Sequence, residues 1–210
     1  MKKEVFNSTW SDLHGGAEIK GIVKAWLAIS FASAKFLSKL HITPNILTLL
    51  GVLFAIAMAA NPLSLWASPL LVLSLYADGI DGSVAIFQQR QSSFGAILDS
   101  VADRISEALW FYVAYRIGAP AWLVLVTYVI ASTQEYARAR LTSLGVTGVG
   151  VVTPAERPVR ASFIFIALIS YALSFELVTL TMAILAILQT LSFGLVARFA
   201  HNSLRNNLGA

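Results

Sequence analysis

The sequence predicts an all-α integral membrane protein: six transmembrane helices preceded by an amphipathic helix at the membrane surface. Three observations carry that expectation. Of 210 residues, 57% are hydrophobic and only 12% charged, against about 25% charge in ordinary soluble domains. Apolar stretches of about 16–25 residues recur along the chain, the length that crosses a hydrocarbon layer of roughly 30 Å. The basic residues collect on one side of the inferred spans.

Taken in order, residues 1–17 are polar, contain Gly15 and Gly16, and read as a poorly ordered N-terminal tail. Residues 18–41 turn amphipathic. At about 100° per residue, Lys20, Lys24, Lys35 and Lys39 share one arc, with Ile22, Trp26, Ile29, Phe36 and Leu40 opposite. Leu27 and Phe31 interrupt the polar stripe. A helix in the membrane surface, lysines toward anionic headgroups, fits this pattern; as a first span it would bury four lysines. Six spans follow at about 45–61, 63–87, 94–118, 120–144, 158–174 and 176–200. Asn61-Pro62, Gly118-Ala119-Pro120 and Ser174 to Glu176 mark tight turns on one side, with loops 88–93 and 145–156 on the other. One helical domain over 42–203 accounts for the spans, with a tail at 204–210. The first apolar run starts late and no small-residue cleavage site follows it, so no removable signal peptide is expected.

Of the 15 Lys and Arg residues, all but Arg116 lie near one face, which places both termini and the two basic loops in the cytoplasm. The net charge of +4 is therefore an orientation signal for the cytoplasmic membrane. Nucleic-acid binding would need a basic face on a soluble surface. The absence of cysteine excludes disulfides, thiolate metal sites and cysteine nucleophiles. His14, His41 and His201 are too scattered to form a metal site.

Against this background, Tyr76 to Arg104 carries Asp78, Asp81, Asp99 and Asp103. Four uncompensated charges at mid-bilayer would cost on the order of 10 kcal/mol. Asp78 and Asp81 are three apart near the cytoplasmic end of the second span; Asp99 and Asp103 are four apart at the cytoplasmic start of the third. Each pair shares a helix face, and at 1.5 Å per residue the two pairs reach similar depth. Gly79, Gly82, Ser83, Ala85, Gly95 and Ala102 let backbones and a ligand approach closely. Converging carboxylates make a hard-cation site suited to Mg²⁺ or Mn²⁺, and two ions would neutralise four charges. Glu107 continues the face of Asp99 and Asp103 and is expected to pair with Arg104. Glu135 is placed to orient the arginine segment that follows it.

Asp78, Asp81, Gly82, Ala85, Gly95, Asp99 and Asp103 resemble the CDP-alcohol phosphotransferase signature D-x2-D-G-x2-A-R-x8-G-x3-D-x3-D in seven of its eight fixed positions. Ile86 stands where the signature has arginine, a position the resemblance associates with the nucleotide-diphosphate donor. An aliphatic side chain cannot replace a bidentate phosphate contact; Arg90 in the following loop is a candidate substitute. Thr43 to Gly51, Leu98 to Phe111, Tyr136 to Val146 and Ala155 to Arg160 are similar to the bacterial phosphatidylinositol phosphate synthases, with Val159 replacing the second Glu of their "ERPER" segment.

The resemblance implies a metal-dependent transferase of phospholipid biosynthesis. It would move a phosphatidyl group from CDP-diacylglycerol to a polar alcohol, inositol phosphate foremost, and release CMP. Asn45, Ile46, Leu47, Thr48, Gly82 and Ser92 would lie along the CDP-lipid site. Arg138, Arg157 and Arg198, with Arg140 and Arg160, would hold the acceptor phosphate; arginine forks suit phosphate oxygens, although the same residues also serve as positive-inside anchors. Asp103 would be the base as well as a metal ligand, and the enzyme a homodimer. Within the same chemistry, other acceptors (glycerol phosphate, inositol) or a soluble CDP-polyol donor remain alternatives, as does a catalytically degenerate relative given Ile86. The rival class is a divalent-cation or proton transporter. Transporters usually place such groups near the midplane on interrupted helices, whereas these acids sit toward the cytoplasmic ends.

Overall fold

The computed structural model describes residues 1–146 and 151–207, with side chains through 205. Regular structure among the described residues is helical: α1 Lys3–Leu13, α2 Gly21–Lys39, α3 Pro44–Ala60, α4 Ala67–Gln88, α5 Ser93–Arg116, α6 Ala121–Ser143, α7 Arg157–Ala172 and α8 Val178–Asn207. The chain divides into two compact units, Met1–Ala57 with Leu70–Ser106, and Met58–Pro69 with Glu107–Ala210. Each expected span meets one helix, from α3 to α8. Helix α8 continues to Asn207 through the start of the expected tail, and the rest of that tail lies outside the described residues, as does part of the expected loop 145–156.

Among the described residues, three helices can cross a membrane by length and composition: Gly21–Lys39, Ala67–Gln88 and Val178–Arg205. The shorter Pro44–Ala60 is also apolar. Helices α5 and α6 carry the acids and arginines at one end. The apolar helices are those of a membrane protein.

The expected N-terminal tail is corrected by the structure: residues 3–13 form helix α1. Eleven residues make a marginal helix alone, so its order must come from packing. Phe6 is fully buried in a cluster with Leu27 and Ile86, flanked by Trp10, Ile19, Val23, Phe31 and Phe87. The Phe6 and Phe31 rings meet edge-on at 5.4 Å, a favoured aromatic geometry.

Helix α2 has three faces. Its lysines are exposed, and so are Ile22, Trp26, Ile29, Phe36 and Leu40. Leu27, Ser30 and Ala34, on a third arc, are the buried ones. Ala34 packs with Leu47 of α3 and Ile80 and Val84 of α4. The apparent flaws in the amphipathic stripe, Leu27 and Phe31, thus belong to the face that docks on the protein. Helices α3 and α4 approach at Gly51, where an added Cβ would lie 3.2 Å from the Ser74 carbonyl, and the Ser74 hydroxyl donates to the Gly51 carbonyl at 2.8 Å.

The second unit is held by polar groups as well as by Trp110, Ile164, Met182 and Leu185, all fully buried. Gln189 of α8 donates to Gln134 of α6 at 2.9 Å. The Ala155 N–H donates to Ser192 at 2.9 Å. At the centre Arg160 of α7 is fully buried. Its Nε–H donates to Glu107 of α5, its Nη2–H to Glu135 of α6 at 3.0 Å, and its Nη1–H to the Ala155 carbonyl at 2.6 Å and to Gln189 of α8 at 3.5 Å. One guanidinium therefore ties four helices together.

Candidate active site

The first unit contains a cavity of about 470 Å³ lined by Pro44, Asn45 and Thr48 of α3, by the acidic faces of α4 and α5, by Trp26 of α2 and by α1. Carboxylate oxygens of Asp78, Asp99 and Asp103 lie within 4.8 Å of one another, each side chain half-buried. Two ligand oxygens on opposite sides of a Mg²⁺ ion are about 4.2 Å apart, so the three groups need only small rotations to share a cation. Three oxygen donors and no softer ligand form a hard-cation set.

Asp81 stands beside this group, on the same helix as Asp78. Its carboxylate accepts a hydrogen bond from the Thr48 hydroxyl and one from the Gly82 N–H at 2.5 Å, and it is buried. Asp103 pairs with Arg104 at 3.8 Å.

The small residues around the acids have local reasons. Ser92 caps helix α5 by accepting the Gly95 N–H at 3.0 Å, as N-cap serines do. A Cβ on Gly95 would lie 3.1 Å from that Ser92 oxygen. An added Cβ on Gly79 would meet the Trp26 ring of α2 at 3.1 Å, whereas one on Gly82 would enter open space. Gly82 thus leaves room for a ligand beside the acids.

Of the residues expected along the donor, Asn45, Thr48, Gly82 and Ser92 line the cavity. Between them on α3, Leu47 packs into the core with Ala34 and Ile46 faces outward. Arg90 also lines the cavity. Sequence reasoning missed Trp10, Leu13 and His14, which line it from α1. The signal was present: Phe6, Trp10 and Leu13 follow the i, i+4, i+7 spacing of an amphipathic helix.

The arginines expected at an acceptor phosphate lie in the second unit. Arg138 forms a two-pronged pair with Glu156, both contacts at 2.7 Å, and lines a second cavity of about 270 Å³ with Glu156, Thr142 and Phe199. Burial alone would raise the Glu156 carboxyl, but hydrogen bonds from Arg138 and Thr153 outweigh it and bring the pKa down to about 2. Arg157 lies over the Trp110 ring at 4.9 Å, a cation–π distance. Arg140 and Arg198 are exposed, and Arg140 donates to Ser143 at 3.3 Å. Glu107, for which the sequence suggested Arg104, is the buried partner of Arg160. Glu135 orients that same arginine and approaches Arg138 at 3.7 Å, as expected of it.

The family model for CDP-alcohol phosphatidyltransferases matches residues 41–194. The chain belongs to this family. It is therefore an enzyme, which decides against the transporter alternative. Among its relatives is an archaetidylinositol phosphate synthase of Aeropyrum pernix, 38% identical over 133 residues that cover 60% of this chain and 68% of the relative. A phosphatidylinositol phosphate synthase of Cutibacterium acnes is 33% identical, covering 63% of this chain and 70% of that protein. The crystal structure of Mycobacterium tuberculosis phosphatidylinositol phosphate synthase with CDP-DAG bound superposes with a TM-score of 0.66 at 21% identity, covering 82% of this chain and 94% of that one. A second structure of that protein, with manganese and citrate, gives 0.64 at 22% identity over 81% and 88%. At that identity the likeness establishes the fold. Helices α1 and α2 precede the residues that the family model matches.

Proposed function

We propose that this phosphatidyltransferase moves a phosphatidyl group from CDP-diacylglycerol to a hydroxyl of inositol phosphate, releasing CMP. The observation that carries this reading is the convergence of Asp78, Asp99 and Asp103 within 4.8 Å in a cavity that Asn45, Thr48, Gly82 and Ser92 share. Bacterial and archaeal relatives whose names differ in the lipid share inositol phosphate, which supports that acceptor, whereas a relative from Helicobacter pylori, 30% identical, is named as a serine phosphatidyltransferase.

In this reading Asp78, Asp99 and Asp103, with Asp81 steadied by Thr48 beside them, hold two divalent ions, Mg²⁺ or Mn²⁺. Bound ions supply charge neutralisation at the donor pyrophosphate. Gly82 and Asn45 admit the nucleotide end of the donor. Asp103 takes the proton of the acceptor hydroxyl, whose oxygen bonds to the phosphorus distal to cytidine while the bond from that phosphorus to CMP breaks. No covalent enzyme intermediate is needed.

Arg138, Arg157 and Arg198 are the proposed acceptor-phosphate residues, with Arg140 at their periphery. Glu156 and Trp110 hold the first two in place, and an incoming phosphate would compete with Glu156 for the Arg138 fork. Arg160 supports the set from the core. The domain, residues 42–203, crosses the cytoplasmic membrane with α3–α8, α2 lies in the inner surface, and the site opens to the cytoplasm. The basic asymmetry and the lysine arc of α2 support this orientation. Family resemblance supports a homodimer.

The test is CMP release by purified protein with CDP-diacylglycerol, Mg²⁺ and a panel of inositol phosphate, inositol and glycerol phosphate. Turnover is expected with inositol phosphate and is expected to vanish in Asp103→Asn. Equal turnover with inositol would remove the acceptor assignment, and near-normal turnover in Asp103→Asn would remove the role of that carboxylate.

A further inference from the structure

The departure from the family signature at Ile86 and the unexpected helix α1 are one feature. Ile86 is 4% exposed and packs against Phe6 of α1 and Leu27 of α2. A guanidinium there would place a charge in an apolar cluster. The aliphatic side chain instead makes the socket in which Phe6 seats, and the seated helix brings Trp10 and His14 to the wall of the donor cavity, alongside Ile86 and Arg90. The Trp10 and His14 rings stack on each other, centroids 4.0 Å apart and planes inclined by 18°. His14 Nδ1–H donates to the Trp10 carbonyl at 2.7 Å, which fixes the ring and leaves Nε2 as its nitrogen for a ligand.

We propose that α1 is a donor-recognition element: the Trp10–His14 pair, held over the cavity by the Phe6–Ile86 contact, stacks against the pyrimidine base of the nucleotide donor in place of the contact that the signature arginine makes. The inference rests on the transferase reading above and adds residues that lie outside the family-matched segment. Two facts favour a ligand-facing role over a purely structural one. Phe6 alone is fully buried on α1, so Trp10 and His14 keep ring surface uncovered beside the cavity. A rigid aromatic pair offers a large flat face with little rotamer entropy to lose.

Base–aromatic stacking has the strength to show as a loss of about 5- to 150-fold in affinity when the ring is removed. The experiment is binding of CDP to detergent-solubilised full-length protein in Mg²⁺ by isothermal titration, together with donor and acceptor KM from CMP release. Trp10→Ala and His14→Ala are expected to weaken CDP at least fivefold and raise the donor KM in step, with kcat and the acceptor KM within twofold of wild type. His14 is exposed, so its replacement should not disturb folding. Ile86→Arg, which restores the signature residue, is expected to unseat α1 and raise the donor KM.

CDP affinity unchanged in both α1 variants would overturn the inference and make Trp10 an interfacial anchor. A donor KM below wild type in Ile86→Arg would overturn it too, by showing that the arginine contact is simply missing. Absence of CMP release from the wild-type protein with any acceptor would instead overturn the transferase reading itself.

Discussion

Replacing Arg160 by Met separates the phosphate-ligand role that the sequence suggests from the strut role that the structure shows. As a phosphate ligand, Arg160 would be dispensable for folding and its loss would raise the acceptor KM. As the strut described above, its loss takes the Arg160 guanidinium from the fully buried Glu107 and leaves the Ala155 carbonyl without its 2.6 Å donor. Breaking a buried pair by removing one partner costs about 3–5 kcal/mol. For a chain of this size each kcal/mol moves the melting midpoint by about 2–4 °C, so Arg160→Met should melt about 6–20 °C below wild type. The assay is thermal unfolding in one detergent, followed by intrinsic tryptophan fluorescence. The double variant Arg160→Met with Glu107→Leu removes both charges and should recover most of the loss, because an apolar replacement of a buried pair is close to neutral. A midpoint within about 2 °C of wild type, coupled to a large rise in acceptor KM, would refute the strut and restore Arg160 to the phosphate site.

Three further outcomes follow from the same geometry. Asp99→Asn should cut CMP release at least a hundredfold, yet in chelator its melting midpoint should equal or exceed wild type, because one of three crowded like charges is gone; a large drop in midpoint would mean the carboxylate is structural. Gly51→Ala should destabilise by about 1–2 kcal/mol, an overpacking cost, since its Cβ would press on the Ser74 carbonyl at 3.2 Å; no change in midpoint would show that α3 and α4 separate freely. The folded-state pKa of Glu156, about 2 against an ordinary 4.5, means that its pair with Arg138 stabilises fully above about pH 4.5 and is lost as pH falls toward 2. The gap in melting midpoint between wild type and Glu156→Gln should therefore close over that window, and a gap constant from pH 6 to 2 would count against the pairing.

Much of the layout was legible because the determinants are periodic. Six apolar runs gave helices α3–α8 to within a few residues at most ends, and the spacing of the four aspartates gave two acidic helix faces. What the spacing could not resolve is which carboxylates converge. At 3.6 residues per turn, a step of three leaves Asp78 and Asp81 about 60° apart, while a step of four leaves Asp99 and Asp103 only about 40° apart. The larger offset turns Asp81 toward α3 and into the Thr48 hydroxyl, leaving the tighter group of three. The arginines resisted reading for a different reason. A phosphate ligand and a buried strut draw on the same residue, and only burial distinguishes Arg160, at 0% exposure, from the exposed Arg198. Helix α1 was lost because its apolar content is small: Val5, Phe6, Trp10 and Leu13 stand in a polar stretch, and the i, i+4, i+7 spacing of the last three carries weight only when a receiving surface is known. That surface is Ile86 with Leu27, two positions that the sequence shows separately, one as a break in a signature and one as a break in a stripe. Both breaks are explained by one contact. Irregularities in two independent patterns that fall on the same side of α2 and α4 were the available clue that a further element docks there.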